Sequence, residues 1–217
     1  MSAAMETTGF VMAIISWLVT GTALANDHWK ISTVSGNVIT SQRITENLWH
    51  SCAENSASMV QCRDFESLLD LPSHIAGCRA LMIISLLLGF ASIIVSLLGL
   101  KCITVGSASD QSKAKMALGG GIVSILAGLC CLVACSWYAY RVVQDFYSPQ
   151  YLGMKFELGA GLYLGWAAAT LAILGGGFLC SAVSRTKSNA SAAAYYGKAP
   201  QKIYTAKTET ETAKSFV

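Results

Sequence analysis

The sequence predicts an α+β membrane protein, in which four transmembrane helices carry an extracellular β fold, and three observations predict it. Four uncharged apolar runs of 20 residues or more occupy 7–26, 81–100, 116–140 and 158–184, each long enough to cross a hydrocarbon core about 30 Å thick. Between the first two runs lies a polar stretch rich in β-branched residues, and that stretch holds two well-separated cysteines. Only 12% of the 217 residues are charged and 53% are hydrophobic, against roughly 25% charged in a soluble domain. The net charge of +3 is no argument for nucleic-acid binding.

The first run carries the small-x-small pattern Ala23-Leu24-Ala25, which could mark a cleaved signal peptide. The preceding residues contain no Lys or Arg and do contain Glu6, whereas a signal peptide starts positive and has a shorter apolar region of about 7–15 residues. We read residues 1–6 as an N-terminal segment and 7–26 as a retained helix.

Lys and Arg are enriched on the cytoplasmic side of short loops. With both termini inside, nine basic residues face four acidic ones in the cytosol, a net of +5; six face eight outside, a net of −2. This asymmetry predicts a first extracellular loop over 27–80, an intracellular loop over 101–115, a second extracellular loop over 141–157 and a cytoplasmic tail over 185–217. The tail is Ser-, Thr-, Ala- and Lys-rich with few large aliphatics, so it cannot bury a core and reads as disordered. Its sequon Asn189-Ala190-Ser191 lies on the wrong side for glycosylation.

The first extracellular loop reads as β. Trp29 to Val34 alternates, Ser35-Gly36-Asn37 supplies a turn and Val38-Ile39-Thr40 resumes an extended run, which predicts a hairpin. A third strand fits 44–52 and a fourth 60–65, with the polar turn Glu54-Asn55-Ser56 between them. Cys52 and Cys62 are the cysteines well clear of the predicted membrane on the oxidising side. A bond between them closes nine intervening residues, worth about 3 kcal/mol in the loop-entropy account.

No catalytic constellation emerges. His28, His50 and His74 show neither an i, i+4 pair nor metal-site carboxylate spacing, so they read as surface or interface residues. No nucleophile elbow or triad order appears. Gly119-Gly120-Gly121, Gly128, Gly161, Gly165 and Gly175-Gly176-Gly177 lie inside or beside apolar runs, where small residues serve helix packing. We read no enzyme, no cofactor and no metal.

Trp29, then Asn47-Leu48-Trp49, Cys52 and Cys62, followed by Arg79, resembles the claudin signature of Trp, Gly/Asn-Leu-Trp, Cys and Cys. With Asn47, Cys62-Arg63-Asp64-Phe65 and the 77–82 segment, the chain looks most like the channel-forming members of the claudin-fifteen and claudin-ten type. The resemblance spans nearly the whole chain. It implies a left-handed four-helix bundle supporting a five-stranded antiparallel sheet whose last strand comes from the second loop. It also implies a tight-junction protein at the plasma membrane that polymerises with copies in the same and the opposing membrane to form paracellular ion channels.

Within that resemblance, Asp64 matches the acidic pore residue of cation-selective relatives. One carboxylate attracts a monovalent cation by about 4 kcal/mol at ~4 Å and a dielectric near 20. A second carboxylate follows the first cysteine in those relatives, whereas this chain has Asn55, with Glu54 displaced by one; a one-residue shift flips a strand side chain to the other face. Arg43 and Arg63 lie near the path and either could neutralise Asp64. The resemblance also implies that Leu68, on a short helix over 65–71, inserts between Phe146, Tyr147 and Leu158 of a neighbour. Ser215-Phe216-Val217 suits a PDZ groove, where the peptide adds a strand and a pocket takes the last side chain, so junctional scaffold proteins are implied partners. Cys102 and Cys180 are palmitoylation candidates, with plain packing as the alternative. Cation permission is the expectation; a barrier, an anion-permissive claudin, or an auxiliary subunit of another channel remain open.

Overall fold

The computed structural model describes residues 2–34, 43–55, 57–65, 72–100, 110–147 and 154–196. The chain runs α1 (Ser2–Ala25), β1 (Lys30–Val34), β2 (Arg43–Glu46), β3 (His50–Glu54), β4 (Val60–Asp64), α2 (Ser73–Gly99), α3 (Asp110–Tyr147), β5 (Met154–Leu158) and α4 (Ala160–Tyr196). All four helices contain a segment long and apolar enough to cross a membrane. They form a ring in which α2 packs on α3, α3 on α4, α4 on α1 and α1 on α2.

Many large apolar side chains point outward from this ring and many small ones inward. Leu18, Leu87, Phe90, Leu126, Val133 and Leu174 are exposed, while Ala13, Ala127, Ala134, Ala168, Ala169 and Ala172 are buried. Lipid tails are as apolar as leucine, so helices in a bilayer gain by close approach of backbones rather than by burying bulk. At Gly9, an added Cβ would meet the Gly175 carbonyl at 2.8 Å; at Gly128 it would meet that of Ala169 at 2.9 Å.

Polar hydrogens cross the seams at a regular interval. From α2 to α3, Cys78 Sγ donates to the Ala134 carbonyl at 3.4 Å, Ser85 Oγ to Ala127 at 2.8 Å and Ser92 Oγ to Gly120 at 2.8 Å. From α3 to α4, Ser124 Oγ donates to Ala172 at 3.0 Å and Cys131 Sγ to Gly165 at 3.4 Å. Each donor follows the last by seven residues, the repeat that holds one seam against its partner in a left-handed supercoil. Ser96 Oγ breaks the series: it is buried without a hydrogen-bond partner among the described residues and occupies the space that a Cβ on Gly120 would need. An orphaned buried hydroxyl costs roughly 1–3 kcal/mol. Ser96→Ala therefore leaves thermal unfolding of the detergent-solubilised protein unchanged or raises its midpoint, whereas Ser92→Ala lowers it.

Helices and apolar runs do not share ends. The 38-residue α3 is about 57 Å long at 1.5 Å per residue, far beyond the hydrocarbon thickness. It continues through 141–147, within the stretch read as a loop, and reaches β5. Leu158 ends β5 and is not the start of a span; α4 begins at Ala160. At its far end α4 continues through 185–196, where composition predicts disorder. Extending an existing helix adds a hydrogen bond per residue without a new nucleus, and Ala190 and Ala192-Ala193-Ala194 favour it.

The sheet has five strands in the order β4-β3-β2-β1-β5, and every pairing is antiparallel. Its fifth strand comes from the segment between α3 and α4, as the resemblance implies. The single strand expected over 44–52 is two strands, because Leu48 leaves the sheet and is fully buried in the core with Trp29, Ile75, Cys78, Met82, Tyr138 and Leu162. The expected second hairpin strand at 38–40 lies outside the described residues.

Candidate functional site at the outer edge of the sheet

The turn between β2 and β3 is built by one amide. Asn47 Oδ1 accepts the backbone N–H of Trp49 and of His50, both at 2.7 Å, so the chain reverses within three residues. This orientation leaves Asn47 Nδ2 to donate to Asp27 Oδ1 at 3.0 Å. Leu48, at the apex, enters the core. Arg79, from the second turn of α2, holds it there: Nε donates to the Leu48 carbonyl, and the guanidinium lies 5.0 Å from the Trp49 ring centroid and 5.7 Å from that of Phe65. Trp49 Nε1 in turn donates to the Leu24 carbonyl at the end of α1.

Trp29 fixes the other side of the sheet. Its ring is fully buried, Nε1 donates to the Ala23 carbonyl at 2.8 Å, and it meets Tyr138 edge-on at 5.2 Å. Lys30, the next residue, joins three elements. Its Nζ lies 3.1 Å from Asp145 of α3 and 3.7 Å from Glu46 of β2, and stands 4.1 Å over the Phe156 ring of β5.

Cys52 and Cys62 are disulfide-bonded and are direct partners in the β3–β4 register. The register also sets which charges share a face, because cross-strand partners lie together and alternate residues oppose. Asp64 pairs with His50, and Glu54 with Val60 and with Arg43. Asp64, Glu54 and Arg43 therefore share the face of the disulfide, while Arg63, opposite Ser51, points the other way. Glu54 lies on the Asp64 face because it stands two residues from Cys52 on β3; Asn55 follows the strand, and its N–H donates to the Met59 carbonyl at 3.0 Å within the turn. Glu54 and Arg43 sit four residues from the Asp64 end of the sheet, about 13 Å along it. All of β4 is exposed, and the Asp64 side chain is 89% exposed.

Beside β5, Phe146, Tyr147 and Leu158 come together with Val142, Phe156 and Tyr163 around an open groove of about 320 Å³. Tyr147 is 79% exposed. Leu68, Cys102, Ser215, Phe216 and Val217 lie outside the described residues. Cys180 Sγ faces α3, 3.9 Å from the Leu118 carbonyl. Sequence reading overlooked Asp27, Lys30, Asp145 and the placement of His50. An Asn three residues before a His in a turn was the available signal for the last.

A sheet fastened to a four-helix membrane bundle, stapled by one cystine and edged by an exposed carboxylate, defines a four-span membrane protein that carries a β-sheet beyond the ends of its helices. The family model described as PMP-22/EMP/MP20/Claudin matches residues 1–179. The chain is 49% identical over 176 residues to Claudin-15 of Mus musculus, covering 81% of this chain and 78% of that protein. It is 43% identical over 174 residues to Claudin-19 of Homo sapiens (79% of this chain, 78% of that one) and 42% identical over 176 residues to Claudin-7 of Homo sapiens (80% and 83%). The chain belongs to the PMP-22/EMP/MP20/Claudin family, and within it to the claudins of the tight junction.

Proposed function

We propose that this claudin lines a paracellular pathway that passes small inorganic cations, with both termini in the cytosol and the sheet in the space between cells. The carrying observation is Asp64 on the free edge strand β4, with its side chain 89% exposed and Arg63 turned to the opposite face. A carboxylate so placed acts on an ion within a Debye length of about 8 Å, so the path must be narrow where neighbouring copies meet.

One sheet cannot enclose a path, and lateral polymerisation completes it. The groove beside Phe146, Tyr147 and Leu158 supports a contact in which Leu68 of the next copy enters it. Ser215-Phe216-Val217 is read as the PDZ ligand for junctional scaffolds and Cys102 as a palmitoylation site. The inward-facing thiol of Cys180 favours packing over an acyl chain.

Dilution potentials across an epithelial sheet expressing the chain test the reading. Wild type favours Na⁺ over Cl⁻, and Asp64→Asn lowers the permeability ratio by about fivefold, the effect of one unit charge at ~4 Å in water. An unchanged ratio overturns the assignment of Asp64.

A further inference from the structure

Asp64 is not alone at the sheet edge. His50, its cross-strand partner in the register, places Nδ1 4.0 Å from Asp64 Oδ1 and Nε2 3.1 Å from Asp27 Oδ1. Among the described residues, Asp27 from the α1–β1 connection and Asp64 from β4 are the charged groups facing the ring, and the Asn47 amide is its neutral neighbour, 3.4 Å from Nε2.

The tautomer follows from these partners. The Asn47 amide is fixed by the two backbone N–H groups on its oxygen, so its NH₂ and the imidazole Nε2 both approach Asp27 Oδ1. An ionised carboxylate only accepts. The neutral ring therefore carries its proton on Nε2, toward Asp27, and turns the lone pair of Nδ1 toward Asp64. The next proton the ring can take goes to Nδ1, on the side of the exposed carboxylate.

We propose that His50 is a specificity-determining residue of the pathway, a proton-operated counter-charge that sets how much of the Asp64 charge a passing ion experiences. The inference rests on Asp64 facing the path. Histidine is the side chain whose charge ordinarily changes between about pH 5 and pH 8, while carboxylates ordinarily titrate near pH 4. With the ring neutral, Asp64 acts at full charge. A proton taken up on Nδ1 places an imidazolium 4.0 Å away, well inside a Debye length of about 8 Å, and the cation preference declines. Acidification of the intercellular space would thus turn a cation-preferring route toward a neutral one without closing it.

The full-length chain in an epithelial sheet gives the test, with Na⁺/Cl⁻ dilution potentials stepped from about pH 8 to about pH 5. The wild-type permeability ratio falls about fivefold across the range, as expected for one unit charge at this distance in water; a flat wild-type ratio overturns the proposal and needs no variant. His50→Gln keeps a high ratio throughout, and His50→Lys, a fixed cation, shows a low ratio already at the upper end. A wild-type response that persists in His50→Gln while Asp64→Asn still lowers the ratio overturns the role of His50 and leaves the pore reading standing. A ratio unaffected by Asp64→Asn overturns both. Freeze-fracture strands in each line confirm delivery.

Discussion

Gly159→Ala unseats the sheet from the bundle, and we expect it to lower the unfolding midpoint of the solubilised protein by on the order of 10 °C and to stop delivery to the cell surface. The start of α4 docks on the chain just before β1: the Gly159 N–H donates to the Trp29 carbonyl and the Gly161 N–H to that of His28, both at 2.8 Å. A Cβ at Gly159 would fall on the His28 carbonyl itself, and one at Gly161 would lie 2.6 Å from Trp29 Cδ1. Neither obstacle can swing aside, since one is backbone and the other a fully buried indole. Overpacking of this kind costs about 3 kcal/mol or more, and at this chain length each kcal/mol moves the midpoint by roughly 2–4 °C. Gly119→Ala and Gly177→Ala are the controls. An added methyl meets nothing within 4 Å at either position, and replacing glycine inside a helix gains about 0.5–1 kcal/mol, so both variants unfold at the wild-type temperature or above it.

Arg79→Gln carries the second large effect, an expected loss of about 3–5 kcal/mol read as a lowered midpoint and reduced surface delivery. Arg79 is buried, donates to the Leu48 carbonyl and stands over two rings. A hydrogen bond from a charged donor contributes about 1.5–3 kcal/mol, and a desolvated cation–π contact about 2 kcal/mol. Arg79→Lys recovers only part of this, because the ammonium keeps the charge without the planar guanidinium that lies over the rings while its Nε reaches the carbonyl. The turn held by Arg79 contains Asn47 and precedes His50, so the ion selectivity of any Arg79 variant that reaches the junction should also lose its pH response.

The helices and the staple were legible in the residues for a simple reason. Crossing lipid demands about 20 apolar residues whatever their neighbours, and the segments around Leu18, Leu87, Leu126 and Leu174 satisfy that demand locally. Cys52 and Cys62 likewise stood out by compartment alone. Helix ends did not, because hydropathy marks where a helix meets lipid and α3 continues to Tyr147 beyond it. The seven-residue series Cys78, Ser85, Ser92 was present in the sequence but reads as scattered small polar residues until α3 supplies its carbonyls.

The site divides along the same line. Sequence by itself determined that this protein spans the membrane four times, displays a cystine-stapled β structure and carries Asp64 just after the second cysteine, since each follows from composition, spacing or a local motif. Tertiary structure alone decided the faces and the neighbours: that Leu48 breaks the expected strand, that Glu54 shares the face of Asp64 while Arg63 does not, and that His50 stands between Asp27 and Asp64. Side-chain facing depends on register, and register depends on where a turn is forced; here the Asn47 amide and the burial of Leu48 force it, through contacts with residues twenty or more positions away.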